Sequence, residues 1–406
     1  MDPRAVPGRQ PARRCGRRLP LRQPPRLTCL PRCRDRHRTR RADRHPRRRA
    51  PSPRNPMTTL LDRIHGSLAA ACIADALGAP TEERSIPEIR RLFGRRVEDF
   101  HAPLPDAPYA VGRGPAQITD DSSQMLLLAE AFIANDGEVS PEVMADLLIG
   151  WSGNPDYFPH FAGPTTRRAI ERLKAGDDPW EVGKAGRVMS EGASNGGAMR
   201  VAPAGLVHPG DVEGAVRAAH LTCVPSHHTN IGVAGAAAIA AATAAACVDG
   251  AGLFEVVRAA RHGAELGERL GSEQGRHVPG PSVAQRIDLA VTLAVQSRDL
   301  DDAIERIAAV IGTGLPAAEA CPAAIGLLVA AGGDPYRTAV AAATAGGDSD
   351  TIGCMAASVA GALNGVAALP AGVVARVEQA NGLDLAGVAA RLAAVARPVP
   401  SGSVAG

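Results

Sequence analysis

Gly232-Val-Ala-Gly-Ala-Ala-Ala-Ile-Ala-Ala-Ala-Thr-Ala-Ala-Ala-Cys247 sets the fold class of the whole chain. Alanine favours helix because it gives up no side-chain entropy there and hides no polar group. The run therefore predicts a helix, and its small side chains let a neighbouring helix come close. At 16 residues, mostly alanine, it is too short and too weakly apolar to span a bilayer. Small-residue stretches near 284–298, 301–312, 322–331, 337–345 and 352–368 read the same way. Toward the N-terminus, Leu60, Leu61, Ile64, Leu68 and Ala71 recur at spacings of three and four, as do Met125, Leu128, Ala129 and Phe132. β-Branched alternation and hairpin dipeptides are scarce. Glycine and proline gather between the helical stretches, at Pro103–Gly114, Gly192–Gly197 and Gly271–Pro281, which predicts loops there. There is no fixed-period repeat and no internal linker. The expectation is one compact all-α domain over residues 57–398.

The chain has 406 residues, 45% of them hydrophobic, ample for a large buried core. Its formal net charge of +3 describes neither of its parts. Residues 1–56 hold 19 Arg, no Lys and three acids (Asp2, Asp35, Asp43), a net of +16. The other 350 residues hold 26 basic and 39 acidic side chains, a net of −13. The overall basic balance is thus no sign of a specific nucleic-acid partner. Arg and Pro without apolar periodicity cannot bury enough surface to fold. Residues 1–56 read as a disordered arm, or as an extension upstream of a true start at Met57. A basic arm for nucleic acid or anionic surfaces is a second reading. A metal knot from Cys29, Cys33 and His37 is a third, though a fourth ligand and the usual zinc spacing are missing. Residues 399–406, rich in Pro, Ser and Gly, read as a flexible tail.

Cys72, Cys223, Cys247, Cys321 and Cys354 are dispersed through apolar stretches, which is not the pattern of a disulfide framework. The N-terminus lacks the apolar core of a secretory signal. The expectation is a soluble, cytoplasmic protein with no membrane partner, working as a monomer.

Two acidic motifs carry the chemistry. Thr119-Asp120-Asp121-Ser122-Ser123-Gln124 leads straight into an apolar helical stretch, and Gly346-Gly347-Asp348-Ser349-Asp350-Thr351 enters a small-residue one. Capping of free backbone N–H groups, with acids at the positive end of the helix dipole, explains either motif alone. The pair says more. Each places two carboxylates and a hydroxyl at a helix mouth, and the double glycine lets backbone approach closely. If the mouths meet, four carboxylates crowd one site, and like charges that close cannot all stay ionised without a cation. Oxygen ligands of this kind suit Mg²⁺ or Mn²⁺ and not zinc. Two such ions would activate a water and orient substrate hydroxyls.

Other segments are weaker signals. Asp75-Ala-Leu-Gly78-Ala-Pro80-Thr81-Glu82 ends a helix near Gly78 and leaves Glu82 on a loop, as a general base, an outer ligand or a solvated acid. Gly192-Ala-Ser194-Asn195-Gly196-Gly197-Ala-Met-Arg200 can expose backbone N–H groups to phosphate, as can Gly163-Pro-Thr165-Thr166-Arg167-Arg168. Neither carries the Lys of a P-loop. Ser226-His227-His228 follows, with no HExxH zinc spacing, and no GxSxG elbow marks a nucleophilic hydrolase.

Taken in order, these segments resemble the ADP-ribosylglycohydrolase family, which includes dinitrogenase-reductase-activating glycohydrolase. The matching stretches are Gly66…Asp75-Ala-Leu-Gly-Ala-Pro-Thr-Glu82, Thr119-Asp120-Asp121, Gly163-Pro-Thr-Thr166, Ser194-Asn195-Gly196…Met199-Arg200, Ser226-His227 and Gly346-Gly347-Asp348-Ser-Asp350-Thr351. They span residues 66–365. The resemblance implies an all-α fold with a cleft holding two Mg²⁺ or Mn²⁺ ions. It places Thr119, Asp120, Asp121, Asp348, Asp350 and Thr351 on the family's metal-ligand positions. Glu82, Asp121 and Asp350 become the catalytic candidates. Ser194, Asn195, Gly196 and His227 fall where the family contacts ADP-ribose, and Gly163 and Thr165 near its phosphate loop. Ser122 and Ser349 stand where many members carry Thr, and both keep the hydroxyl. After Ser226-His227 the chain reads His228-Thr-Asn-Ile, not the common Pro- or acid-containing continuation. Tyr109, Tyr157, Phe158 and Phe161 are the aromatics available for an adenine platform.

Three functions follow from these residues. The first is a metal-dependent hydrolase that releases ADP-ribose from a protein, a nucleic acid or a small acceptor. The second is a nucleoside-type N-glycosidase acting on a smaller riboside without reading a diphosphate. The third is a catalytically inactive, metal-stabilised binding or structural protein. Stabilisation by ADP-ribose against free ribosides separates the first two, and turnover separates both from the third.

Overall fold

In the computed structural model the described residues are 58–188 and 190–399. The expectations for residues 1–56, for Cys29, Cys33 and His37 and for the tail beyond 399 lie outside them. Among the described residues the structure is helical, without a strand. Two isolated backbone bridges, Ser194 to Pro316 and Thr229 to Arg276, are the only extended pairings there.

The helices run α1 (Leu60–Gly78), α2 (Ile86–Phe93), α3 (Asp120–Ala134), α4 (Pro141–Trp151), α5 (Phe158–Phe161), α6 (Pro164–Lys174), α7 (Pro179–Val182), α8 (Ala202–Leu206) and α9 (Val212–Cys223). They continue with α10 (Asn230–Ala246), α11 (Leu253–Gln274), α12 (Val283–Gln296), α13 (Leu300–Val310), α14 (Ala317–Ala330), α15 (Pro335–Ala345), α16 (Ser349–Asn364), α17 (Val373–Asn381) and α18 (Leu385–Val395). No helix among them is long and apolar enough to cross a membrane.

The alanine run is α10, and every one of its residues is buried. Thr229 caps it, its Oγ1 accepting from Gly232 N at 3.0 Å. Neighbours α8, α9, α11, α14 and α16 enclose it, so the small side chains serve as contact surface on all sides. The same logic joins α1 to α16. A Cβ on Gly66 would lie 2.6 Å from the carbonyl oxygen of Gly361, and one on Gly361 would lie 2.1 Å from that of Gly66. Further along, a Cβ on Gly78 would meet the Asp350 backbone at 2.4 Å. The two helices are therefore antiparallel with their backbones nearly touching. This contact carries the C-terminal end of α1 to the N-terminal mouth of α16.

Two arginines, Arg63 buried and Arg286 half-buried, close the backbone accounts that such packing leaves open. Arg63 of α1 donates through Nη1 to the carbonyls of Ala246, Ala362 and Leu363, at the ends of α10 and α16. Those carbonyls have no partner within their own helices. The second case corrects a boundary. The stretch read as starting near 322 begins at Ala317, and Pro322 lies inside α14. Proline lacks the N–H that the Ala318 carbonyl would receive. Arg286 Nη1 of α12 donates to that carbonyl at 2.8 Å instead. The five cysteines from Cys72 onward are free and buried.

Candidate active site

Helix α3 is capped by a residue of another helix. Thr119 stands at its N-cap position, yet its side chain makes no cap hydrogen bond. Asp75, fully buried near the end of α1, does so in its place. Asp75 Oδ2 accepts from Ser122 N at 3.1 Å, and Oδ1 accepts from Thr119 N at 3.0 Å. Asp75 Oδ1 also takes the Thr119 hydroxyl at 2.8 Å. A carboxylate there satisfies amides that α3 cannot, and it fixes where Asp120 and Asp121 emerge. Asp121 is buried, while Asp120 stands half-buried on the cleft.

The mouth of α16 is built by two loops that pair through backbone. Glu83 N donates to Gly347 O at 2.8 Å, and Gly347 N donates to Arg84 O at 3.1 Å. Asp348 N donates to Thr313 O at 2.7 Å. Gly346 and Gly347 both take positive φ (69° and 66°). A Cβ there would collide with the Arg84 and Thr313 carbonyls at 2.1 and 2.3 Å, so no larger residue fits either position. Ser349 Oγ closes the seam, 3.0 Å from Thr81 Oγ1 and 3.1 Å from Gly78 O. Glu82 is thereby held beside Asp348 and Asp350.

The two mouths meet. Carboxylate oxygens of Asp75, Asp121 and Asp350 lie within 4.8 Å of one another, and so do those of Glu82, Asp348 and Asp350. Asp350 belongs to both groups. Loss of water pushes Asp121 well above the usual carboxylate range, reinforced by the charges of Asp120, Asp75 and Asp348. Asp350 is raised likewise by burial, then by Glu82, Asp121 and Asp348. Glu82 follows the same pattern, with burial first and Asp348 next. Asp348 is raised by burial against the opposing hydrogen bond from Asn195 Nδ2 at 2.5 Å. Asp121 Oδ1 is buried with no hydrogen-bond partner. Clustered carboxylates with an unsatisfied buried oxygen, and hydroxyls of Thr119 and Thr351 beside them, fit a hard divalent cation.

A cleft of about 330 Å³ opens over this floor. Glu82, Asp120, Asp121, Asp348, Asp350 and Thr351 line it. So do Gly163, Thr165, Ser194, Asn195 and Gly196, with Asn195 next to Asp348. Tyr109 and Phe161 also border it. Tyr157 stands behind, its ring 6.4 Å from that of Phe161, and Phe158 packs edge-on against Trp151. Thr119 and His227, by contrast, are buried behind the walls. Thr119 faces Asp75, and also lies 3.0 Å from Asp121 Oδ2. His227 reaches the cleft only through Ser194, since its Nε2 is 3.0 Å from Ser194 Oγ. A Cβ on Gly196 would press that imidazole at 2.8 Å. Among the described residues the only arginine bordering the cleft, Arg168, is paired with Glu191 at 2.6 Å. Asp75 was the member of the cluster to which sequence reasoning gave no role.

The sequence profile of the ADP-ribosylglycohydrolase family matches residues 56–401. The chain belongs to the ADP-ribosylglycohydrolase family. It is 31% identical to YegU of Escherichia coli strain K12, described as uncharacterized, over 82% of this chain and 96% of that protein. An uncharacterized protein of Archaeoglobus fulgidus is 30% identical over 72% of this chain and 84% of its own length. The ADP-ribosyl-[dinitrogen reductase] glycohydrolase of Rhodospirillum rubrum is 30% identical over 37% of this chain and 48% of its own length. A solved structure described as an ADP-ribosylglycohydrolase-related protein complex shares the fold, with a TM-score of 0.57 at 22% identity. It covers 83% of this chain, which covers 99% of it. Membership marks the protein as an ADP-ribosylglycohydrolase-like hydrolase of glycosyl bonds.

Proposed function

We propose that the protein hydrolyses the glycosidic bond joining ADP-ribose to a protein, nucleic-acid or small-molecule acceptor, with two Mg²⁺ or Mn²⁺ ions held by its acidic wall. One observation carries this reading. Two clusters of carboxylates that share Asp350 lie at a cleft, whose lining also includes small polar residues and glycines. Asp120, Asp121, Asp348, Asp350 and the hydroxyls of Thr119 and Thr351 would hold the ions. When bound, such ions supply a water acidic enough to lose its proton near neutral pH, and a grip on ribose hydroxyls.

The chain's own residues do the rest. Glu82, on its loop at the cleft edge, takes the proton of the attacking water on a carboxylate oxygen. Asp75 keeps the α3 mouth in place, and Asn195 Nδ2 orients Asp348. Thr165, Ser194 and the amides about Gly163 and Gly196 hold the diphosphate. Tyr109 and Phe161 offer apolar surface to the adenine. The Rhodospirillum rubrum relative, an ADP-ribosyl-[dinitrogen reductase] glycohydrolase, is named for a cleavage of this kind.

The test is turnover of ADP-ribosylated substrates in Mg²⁺ and Mn²⁺, with a thermal-shift screen alongside. ADP-ribose at about 100 times its Kd should stabilise the protein by about 2.7 kcal/mol. Asp350→Ala should lose both turnover and the metal-dependent shift. Unchanged turnover in Asp121→Ala and Asp350→Ala rejects the mechanism. Stabilisation by free ribosides but not by ADP-ribose moves the assignment to a nucleoside-type N-glycosidase.

A further inference from the structure

Behind the Ser194 wall lies a chain of polar groups with no exit on the buried side. Arg200, fully buried, donates from Nη1 to Gln124 Oε1 at 2.7 Å and from Nη2 to Ser226 Oγ at 2.8 Å. Ser226 Oγ is 2.9 Å from His227 Nδ1. His227 Nε2 is 3.0 Å from Ser194 Oγ, and Ser194 is half-buried on the cleft. The order is Arg200, Ser226, His227, Ser194, from the interior to the substrate.

We propose that Arg200 fixes the direction of every hydrogen bond in this chain, so that Ser194 presents a hydroxyl hydrogen to the cleft, suited to an acceptor group, a phosphate or other oxyanion oxygen. The argument is one of donors and acceptors. A guanidinium donates and cannot accept, so Ser226 Oγ accepts from Arg200. Among the described residues Ser226 Oγ has one other partner, His227 Nδ1, and Ser226 is buried. Its hydroxyl hydrogen must go to Nδ1, because a buried hydrogen left unmade is costly. Burial, and then the charge of Arg200, push His227 down to about 3, so the ring is neutral and carries one N–H. With Nδ1 accepting, that N–H sits on Nε2 and donates to Ser194 Oγ. The hydrogen left to Ser194 then turns to the cleft.

Two consequences follow. His227 cannot take a proton from Ser194, so this Ser–His pair is no activated nucleophile despite its spacing. Arg200 and Ser226 are positioning residues that act on ligand through His227. Only the ligand class rests on the ADP-ribose reading; the direction of the chain does not.

The direction is read on the full chain labelled with ¹⁵N-histidine and free of ligand. Long-range ¹⁵N–¹H spectra should find His227 protonated on Nε2 and bare on Nδ1. A proton on Nδ1 overturns the proposal. In Ser226→Ala the Nε2–H preference should weaken, and in Ser226→Thr, which keeps the hydroxyl, it should return. Calorimetry with ADP-ribose in Mg²⁺ reads the ligand half. Ser194→Ala should weaken binding about 10-fold, the loss of one hydrogen bond to a charged group. Ser226→Ala should lose a similar factor, and the double variant no more than the weaker single. Equal affinity in wild type and Ser194→Ala overturns the donor role. If the wild type binds no ADP-ribose at all, the proposed function falls, while the tautomer still decides the direction of the chain.

Discussion

On one side of the cleft, Asp121, Asp348 and Asp350 are buried against Asp75 and the half-buried Glu82 and Asp120, and one carboxylate oxygen there lacks any partner. Elsewhere behind its lining, Ser194, His227, Ser226 and Arg200 hand hydrogen bonds along a line that ends at the cleft. Both sides bury polar groups at comparable depth. The first is strained by like charges, which a proton or a cation would relieve. The second has each link from Arg200 to Ser194 made before any ligand arrives and leaves one hydroxyl hydrogen for the cleft, while Arg200 Nε has no partner. A binding cleft can thus be assembled from one wall that waits and one that is already set.

The largest effect should come from removing charge on the waiting wall. Asp350→Asn should cut turnover by about 10³-fold, the scale of losing one key electrostatic partner of the reaction. With chelator present, the same variant should melt about 2 °C higher than wild type, because a repulsive carboxylate is gone. Equal or lower melting in chelator would mean that the carboxylates do not strain one another.

Next is the backbone contact that brings the acidic mouths together. Gly361→Ala puts a Cβ 2.1 Å from the carbonyl oxygen of Gly66, and should cost about 3 kcal/mol in denaturant unfolding. Its Mg²⁺ affinity should fall, while the His227 tautomer stays as in wild type. A joint loss of both would show that the walls are one mechanical unit.

The smallest effect concerns two histidines that pack beside the set wall. His220 and His228 are buried, their Nε2 atoms 2.9 Å apart. Burial pushes His220 down to about 4 and, with the His220 charge next in weight, His228 down to about 3. The fold therefore holds both rings neutral, while the unfolded chain takes up protons below its ordinary pKa near 6.5. Stability from this pair is complete above that pH and declines as pH falls toward 4, by roughly 1.4 kcal/mol per unit for each ring. Melting curves from pH 7.5 to 5 check it: His228→Phe should flatten the decline, and an unchanged slope would discard the assignment.

Much of this was legible in the residues alone. The alanine run, the two acidic mouths and the glycine loops could be read because each is a local pattern with a local cause. Tertiary consequences could not. Asp121 and Asp350 are more than two hundred positions apart, and the close packing of α1 on α16 together with the Asp75 cap on α3 brings them together. Asp75 left a trace, since Ile73-Ala74-Asp75-Ala76-Leu77 sets a lone acid within an apolar helical stretch, but its duty to α3 requires seeing α3. His227 was expected on the ligand; its ring stands one residue behind the cleft surface, where Gly196 leaves just enough room for the imidazole. Arg200 closed one of the stretches that resembled the family, but nothing local gave it a role.

The crossing of α12 and α14 has a consequence of its own. Pro322 strips the Ala318 carbonyl of its ordinary donor, and Arg286 supplies one from a different helix. The dependence runs one way. A half-buried arginine facing an intact helix can still turn to water, whereas a proline without that arginine leaves a bare carbonyl in the core. Pro322 therefore leans on a residue thirty-six positions away, a link that no local rule of either helix records.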